Sequence, residues 1–258
     1  MLKHIKLILG DEADTDEINY TLSEENITKD DSLIITDNEA VLSELKKNGF
    51  AVLFYSRDNK FIEGAEYVTD SVEDCDRKYM ELVFAREKGL PLTILETKRT
   101  IVREMTVEDL PLLYELYDDE EIKKYIEPLY PYEEEKEFTE SYIRNMYGFY
   151  GFGLWLVFNK ENNELIGRAG ISIRNIDGED KHEMGYIIGK KYRRQGYAYE
   201  VCSAIKNYAF SEIKMEDLFI VTEKRNLPSC DLADKLGFTV SGLSEVNGCE
   251  YMIFQCKE

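Results

Sequence analysis

The chain has 258 residues, of which 43% are hydrophobic and 33% charged, a composition typical of one large or two ordinary folded domains. No apolar run approaches the roughly 18 residues of a membrane helix. The net charge of −20 disfavours nucleic acid as a partner, because an acidic surface repels phosphates, and it would attract cationic small molecules or basic peptides.

Cysteine and histidine usage limits the kinds of site that the chain can carry. Five cysteines and two histidines are spread along the sequence without a CxxC pair. Zinc sites need clustered ligands, and secreted disulfide scaffolds use a dense, even cysteine set. The sequence therefore predicts no metal site and a cytoplasmic location. The opening MLKHIKLIL precedes acidic residues without a cleavage site, and predicts a first strand instead of a signal peptide.

Short apolar strands alternate with helices in residues 1–90. The predicted strands are 4–9, 32–36, 51–55 and 65–69. The predicted helices are 39–48, with Asp37-Asn38 as its cap, and 72–88. This alternation predicts a small Rossmann-like parallel sheet, and residues 91–99 are predicted to be a linker.

The pattern changes at residue 100 and predicts a mixed α+β domain that extends to residue 258. The predicted strands are 101–106, 153–159, 164–174, 182–189, 217–223, 238–244 and 250–256. The predicted helices are 107–119, 133–147, 196–213 and 229–236. The predicted fold class is thus α/β, with a small parallel sheet followed by a larger mixed sheet.

The stretch EMGYIIGKKYRRQGYAYE (183–200) carries the clearest chemical signal. It passes from a strand through a basic turn and a glycine into a helix, whose first amides lack internal partners and favour anions. Gly196 allows a phosphate to approach the backbone, Ala198 leaves the first turn uncrowded, and Arg193 and Arg194 add positive charge. These features predict a pyrophosphate site; an ordinary basic loop before a helix is the alternative.

Two segments carry a resemblance to a known family. RRQGYA (193–198) resembles the R/Q-x-x-G-x-G/A signature of the GNAT superfamily of N-acetyltransferases. The flanking GYII and YEV, and the segment NLPSCDLADKLGF (226–238), are similar to the branch that contains ribosomal-protein N-terminal acetyltransferases. The resemblance covers residues 100–258 and implies an enzyme that acetylates an amine, either a peptide N-terminus or a small cationic amine.

The resemblance implies acetyl-CoA as the co-substrate and a set of residues that bind it. The backbone of residues 186–188 would pair with the pantetheine arm, and the loop after it would hold the pyrophosphate. Asn226 and Ser229 would contact the cofactor further along, with a turn residue and a helix N-cap as their structural alternatives. The implied cofactor-binding residues are Tyr186, Ile187, Ile188, Arg193, Arg194, Gln195, Gly196, Tyr197, Ala198, Asn226 and Ser229.

The same resemblance implies direct transfer, in which the amine attacks the thioester carbonyl. Glu183 matches a common acidic position and would be the general base, provided that its pKa rises above the usual value of about 4.3 or a water relays the proton. A solvated carboxylate at a strand end is the alternative. The tyrosine that protonates the leaving thiolate in many relatives is replaced by Ala233. Either another tyrosine serves, or the thiolate leaves unassisted.

Several other side chains have two readings. Tyr142, Tyr147 and Tyr150 lie where the family builds its acceptor wall, but they equally fit an aromatic face of the core. Trp155 is predicted to lie in the core. Glu200, in the first turns of the helix after the glycine loop, is predicted to be a helix-start carboxylate favoured by the dipole.

Residues 33–59 and 64–74 resemble the later half of haloacid dehalogenase-like phosphatase cores. The nucleophile motif of that family, D-x-D-x-T, is not intact: Asp11-Glu12-Ala13 lacks the second aspartate, and Asp14-Thr15-Asp16 lies too far from the strand. We therefore expect no phosphatase activity, and Asp37 is expected to be a helix cap. The first domain could sense a ligand, form a homodimer or support the second domain. The alternative for the whole chain is a non-catalytic regulatory protein that binds acyl-CoA or another ligand.

Overall fold

The structure is a computed structural model, and it divides into two compact units, Met1–Leu92 and Thr93–Glu258. The residues that it describes are 1–10, 22, 25–58, 60–176, 178–246 and 248–258. The incomplete nucleophile motifs at 11–13 and 14–16 lie outside the described residues, as does Asp177.

The first unit contains a parallel sheet in the strand order β1-β2-β3-β4. Its strands are β1 (His4–Ile8), β2 (Ser32–Thr36), β3 (Ala51–Tyr55) and β4 (Val68–Thr69). Its helices are α1 (Glu39–Lys47) and α2 (Arg77–Glu87). The predicted small parallel sheet is confirmed.

Both faces of this sheet are covered, which explains why its strands are continuously apolar. Ile34 and Val52 pack in the cluster that includes α1, and Leu33 and Leu53 pack in the cluster that includes α2. The side chain of Asn38 accepts the first amides of α1 and caps that helix as predicted.

Asp37 and the second helix differ from their predictions. Asp37 is not the cap of α1, because its carboxylate accepts the N–H of Gly10 at 2.8 Å. The helix predicted over 72–88 begins at Arg77, because Asp76 accepts the N–H of Tyr79 and sets the N-cap there.

The second unit contains an eight-stranded mixed sheet in the order β11-β12-β10-β9-β8-β7-β6-β5. Its strands are β5 (Thr93–Glu96), β6 (Thr100–Arg103), β7 (Leu154–Asn159), β8 (Leu165–Ile176), β9 (Glu179–Ile188), β10 (Asp217–Glu223), β11 (Thr239–Val246) and β12 (Cys249–Lys257). β5 falls within the predicted linker 91–99. It forms because Ile94 and Leu95 pack against the core and the strand pairs antiparallel with β6.

The helices of the second unit are α3 (Leu110–Tyr117), α4 (Tyr132–Tyr142), α5 (Tyr197–Ser211) and α6 (Leu227–Lys235). The helix predicted over 133–147 changes into a π-helix, Ile143–Tyr150, whose wider turns end at Gly151 with φ 76°. Within this segment Tyr147 is fully buried. In the part of the chain that the structure describes, no helix is both long enough and apolar enough to span a membrane.

One apolar cluster fills the second unit from β6 to β12. Trp155 is fully buried in it, as predicted, and its ring meets the ring of Tyr208 on α5 edge to face. The predicted α/β class, with a parallel four-stranded sheet and a larger mixed sheet, is therefore confirmed.

Candidate active site

The candidate site begins where two parallel strands of the second sheet separate. The register between β9 and β10 consists of the pair Glu183–Phe219. Beyond it, β9 stays paired with β8 as far as Ile188, whereas β10 is paired with β12 on its other side. A V-shaped split therefore opens along residues 184–188, and its wide end lies at the loop that follows β9.

The peptide groups of β9 alternate between β8 and the split. The N–H of Gly189 donates to the carbonyl of Ile166 at 2.9 Å and continues the β8–β9 ladder. Because successive residues of an antiparallel strand bond on opposite sides, Ile187 faces β8, whereas Tyr186 and Ile188 turn their peptide groups toward the split. Two of the three backbone positions implied for pantetheine pairing thus have the required direction.

The loop after β9 brings backbone amides to the wide end of the split. Arg194 and Gly196 adopt the left-handed conformation, with φ 61° and 82°. α5 begins at Tyr197, and the N–H of Glu200 donates to the carbonyl of Gly196 at 3.1 Å. The N–H groups of residues 197–199 therefore lack acceptors within the helix, and the helix dipole adds partial positive charge. Backbone of this kind can bind a pyrophosphate.

The two arginines of the loop point in different directions. Arg193 donates from Nε to the carbonyl of Ile188 at 2.8 Å and forms an ion pair with Asp119, whose side chain is 12% exposed. The positive charge predicted there is thus neutralised within the protein. Arg194 is exposed, so its guanidinium is open to an anionic ligand.

A residue that the sequence did not single out, Arg99, packs on the same loop. Its Nη1 donates to the carbonyl of Gln195 at 3.0 Å, and its Nε donates to Glu200 at 2.7 Å. Its guanidinium also lies 4.0 Å from the centre of the Tyr197 ring. No local pattern could have identified Arg99, because the residues that it contacts lie about a hundred positions away.

Glu200 occupies the first turn of α5, as predicted, but its contacts are more extensive. Its carboxylate accepts the Thr97 hydroxyl at 2.7 Å and the N–H of Arg99 at 2.8 Å, besides the Arg99 Nε. Burial alone would raise the pKa of Glu200, but these hydrogen bonds outweigh burial and hold the pKa below its usual value.

Glu183 lies at the narrow end of the split, with 14% of its side chain exposed. Nη1 of Arg174, on β8, donates to the carboxylate at 3.0 Å, and the N–H of Val221 also donates to it. Burial raises the pKa of Glu183 above its usual value, and these contacts offset the rise only in part. The carboxylate is therefore a stronger base than an exposed glutamate.

The side chains of β9 reach both faces of the sheet. Glu183 shares a face with Arg174 and with Arg168, which donates to the Tyr117 hydroxyl of α3 at 3.1 Å. Tyr186 points to the opposite face, where its hydroxyl lies 2.9 Å from that of Ser229 on α6. The two faces of the sheet therefore differ at the split. One face carries the Glu183 carboxylate, and the other carries the hydroxyl groups of Tyr186 and Ser229.

The start of α6 corrects one structural expectation. The helix begins at Leu227, two residues before the predicted start, because Pro228 fits a first turn, where its missing N–H costs no hydrogen bond. Asn226 therefore stands at the N-cap position, and Ser229 does not. Ala233, where many relatives carry tyrosine, is fully buried.

The three tyrosines considered for an acceptor wall divide between core and surface. Tyr147 is fully buried and donates to the carbonyl of Leu154 at 2.6 Å, and Tyr142 accepts the N–H of that residue at 2.7 Å. Burial raises the pKa of both hydroxyls. Tyr150 is 48% exposed, and it contacts the ring of the exposed Phe149.

Comparisons with known proteins agree with this geometry. The family model for the acetyltransferase (GNAT) domain matches residues 99–239, which is more than half of the chain. An uncharacterized N-acetyltransferase of Bacillus subtilis (strain 168), YnaD, is 28% identical over 149 residues, which cover 57% of this chain and 84% of the relative. The uncharacterized protein YkkB of the same organism is 29% identical over 150 residues, covering 58% and 87%.

Solved structures share the fold of the second unit. The GNAT-family acetyltransferase of Bacillus anthracis has a TM-score of 0.53 and 24% identity, and the match covers 63% of this chain and 97% of that one. RimL, a ribosomal L7/L12 alpha-N-protein acetyltransferase in complex with coenzyme A, has a TM-score of 0.55 and 17% identity, covering 64% and 98%.

The family match lies within the second unit, and the haloacid dehalogenase-like resemblance of the first unit stays a prediction. GNAT acetyltransferases take their acetyl group from acetyl-CoA. Since the matched model spans the split, the loop and α5, the chain belongs to the GNAT family of N-acetyltransferases.

Proposed function

We propose that this acetyltransferase moves the acetyl group directly from acetyl-CoA to a primary amine held beside Glu183. The observation that carries the proposal is the split between β9 and β10, which joins a basic carboxylate at one end to the free amides of α5 at the other. Direct transfer requires both reactants in one cleft, because the rate gain comes from holding them in line.

Binding of acetyl-CoA would use the backbone more than side chains. The outward peptide groups of Tyr186 and Ile188 would pair with the pantetheine arm as an added strand does. At Ile188 the N–H would make this contact, because the Ile188 carbonyl already accepts a hydrogen bond from Nε of Arg193. The amides from Arg194 to Ala198 would bind the pyrophosphate, and Asn226 and Ser229 would contact the cofactor across the split.

Glu183 would take the proton that the attacking ammonium must lose. Its raised pKa, caused chiefly by burial, makes it a better proton acceptor than a surface glutamate near neutral pH. Arg174 holds the carboxylate in one orientation. The amine would then attack the thioester carbonyl and form the C–N bond, and the C–S bond would break to release the thiolate of CoA. The second proton of the amine nitrogen would pass to that departing thiolate, which gives the amide and the free thiol.

The leaving thiolate would depart without a protein acid. Ala233 has no proton to give, and burial raises the pKa of Tyr186 far above its usual value, so its hydroxyl is a poor acid. A thiol pKa of about 8.5 makes the thiolate a stable leaving group near neutral pH. The hydroxyl pair formed by Tyr186 and Ser229 would position the cofactor instead.

The acceptor would be a peptide N-terminus or a small cationic amine. Structural neighbours carry both kinds of name, among them a putative ribosomal-protein-serine acetyltransferase and a spermidine N-acetyltransferase chimera. Both are below 25% identity to this chain and support the fold alone. An open groove of about 250 Å³ is lined in part by Phe219, Ile253 and Gln255. Because Phe219 pairs with Glu183 in the β9–β10 register, this groove is a candidate entrance for the acceptor.

Calorimetric titration of acetyl-CoA into the wild type and into the variant Gly196→Trp tests the proposal. A side chain at φ 82° is strained, and a Cβ atom on Gly196 would lie 3.6 Å from Nη2 of Arg99, so a bulky side chain would also disturb the packing of the loop. We expect acetyl-CoA affinity to fall at least tenfold in a chain that still folds. Gly178→Trp is the matched control, because Gly178 has φ 86° and open space around it in the β8–β9 turn.

Wild-type affinity in the Gly196 variant would contradict the cofactor placement. In a separate assay of the wild type, turnover of acetyl-CoA with a panel of peptides and polyamines identifies the acceptor class.

A further inference from the structure

Arg99, in the segment just before β6, contacts the cofactor loop and the start of α5 at several points. Nη1 of Arg99 donates to the Gln195 carbonyl at 3.0 Å, and its Nε and backbone N–H donate to Glu200 at 2.7 and 2.8 Å. The guanidinium covers the Tyr197 ring, whose exposed fraction is 8%. The Arg99 side chain therefore contacts the Gln195 carbonyl in the loop, the Tyr197 ring at the start of α5 and the Glu200 carboxylate in its first turn.

The contact with Gln195 fixes the direction of an amide. The peptide bond between Gln195 and Gly196 is trans, so its carbonyl and its N–H point in opposite directions. Because that carbonyl points to Arg99, the N–H of Gly196 points outward, away from the guanidinium. A freely rotating peptide plane could present its carbonyl there and repel an anion.

The contact with Glu200 controls a charge in the same turn. A carboxylate at the N-terminus of a helix competes with an anionic ligand for the positive end of the dipole. Arg99 and Thr97 together give this carboxylate three hydrogen bonds and hold it at the β6 side of the helix. Its negative charge is compensated there, and the outward amides stay available.

We infer that Arg99 is a positioning residue for the diphosphate of acetyl-CoA, which fixes the Gln195–Gly196 peptide and draws the Glu200 carboxylate away from the anion. The inference rests on the proposed function, because it assumes that the loop binds a diphosphate. It goes further in assigning the conformation of the loop to a residue outside the motif.

Titration of acetyl-CoA into Arg99→Met and Arg99→Lys tests this inference. Methionine keeps much of the side-chain length but loses the hydrogen bonds of the guanidinium to Gln195 and Glu200, so we expect affinity for acetyl-CoA to fall at least tenfold. Lysine can reach Glu200 but cannot bind both acceptors at once, so we expect an intermediate loss. The amide resonance of Gly196 in a ¹⁵N-labelled sample should shift in both variants before any ligand is added.

Arg77→Met is the matched control. Like Arg99, Arg77 pairs with a carboxylate, that of Glu81, and donates to a backbone carbonyl, that of Leu2. It should leave acetyl-CoA affinity unchanged. If the wild type binds acetyl-CoA and the folded Arg99→Lys protein binds it equally well, with an unmoved Gly196 resonance, the inference is overturned. If the wild type itself does not bind acetyl-CoA, the proposed function fails first.

Discussion

At the scale of single residues, the proposed chemistry depends on how burial and ion pairing act on Glu183. Burial raises the pKa of its carboxyl, while Arg174 and the Val221 amide lower it, and burial dominates. A general base must be ionised to accept a proton, so activity should decline as pH falls through this raised pKa. The acid limb of the pH–rate profile therefore reports on Glu183.

Glu183→Gln should remove that limb and lower kcat by roughly 10²- to 10⁴-fold, the usual contribution of a positioned general base. The amide keeps the shape of the side chain but cannot accept a proton from an ammonium. Affinity for acetyl-CoA should stay unchanged, because the cofactor loop is intact. Glu161→Gln, at an exposed position in the turn between β7 and β8, is the control. A variant with normal kcat and an intact acid limb would exclude Glu183 as the base.

Arg174→Gln should shift the acid limb to higher pH. The guanidinium lowers the Glu183 pKa, so its loss lets burial raise that pKa further. At low pH the variant should thus be slower than the wild type, and at high pH the two should converge. Arg174→Lys should restore the limb toward its wild-type position. An unmoved limb in Arg174→Gln would show that the ion pair does not set the basicity of Glu183.

At the scale of elements, the strand, loop and helix of the proposed cofactor site were predictable because their signals are local. Gly196, the basic turn and the apolar run before it lie within a few residues of one another. The alternation of peptide groups at Tyr186 and Ile188 was not predicted, because it depends on the register between β8 and β9.

The side-chain partners of these elements could also not be predicted from the sequence. Asp119 neutralises Arg193, and Arg99 binds Gln195 and Glu200, across about 70 to 100 residues of chain. No periodicity or spacing relates positions so far apart. In the first unit, β4 is shorter than predicted because its pairing with β3 is confined to Val68 and Thr69.

The antiparallel pairing of β7 with β8 gives a test of the sheet itself. A Cβ atom on Gly170 would lie 2.0 Å from the carbonyl oxygen of Gly153 and 2.8 Å from the Cα of Leu154. Both neighbours are backbone, so Gly170→Ala should destabilise the second unit by about 1–3 kcal/mol or more, as overpacking does. Urea unfolding measures the change. Gly242→Ala is the control, because the nearest atom to its Cβ would be 3.6 Å away.

At the scale of the whole molecule, the two units have separate apolar cores. The clusters of the first unit draw their residues from Leu2 to Phe84, and the cluster of the second draws its residues from Ile94 to Cys256. A unit with its own core can fold alone when its boundary cuts few contacts.

The fragment Thr93–Glu258 should therefore fold by itself and bind acetyl-CoA as the full chain does. It keeps β5 at the sheet edge, and it keeps Thr97 and Arg99, which bind the first turn of α5. We expect a single cooperative urea transition, because one apolar cluster spans the unit, and an affinity within about threefold of the full chain.

The same fragment carrying Gly196→Trp is the control for this test, because it should unfold similarly and lose acetyl-CoA. A fragment that unfolds without cooperativity would show that the first unit is required for folding of the second. A folded fragment that no longer binds acetyl-CoA, when the full chain does, would show that the first unit contributes to the cofactor site.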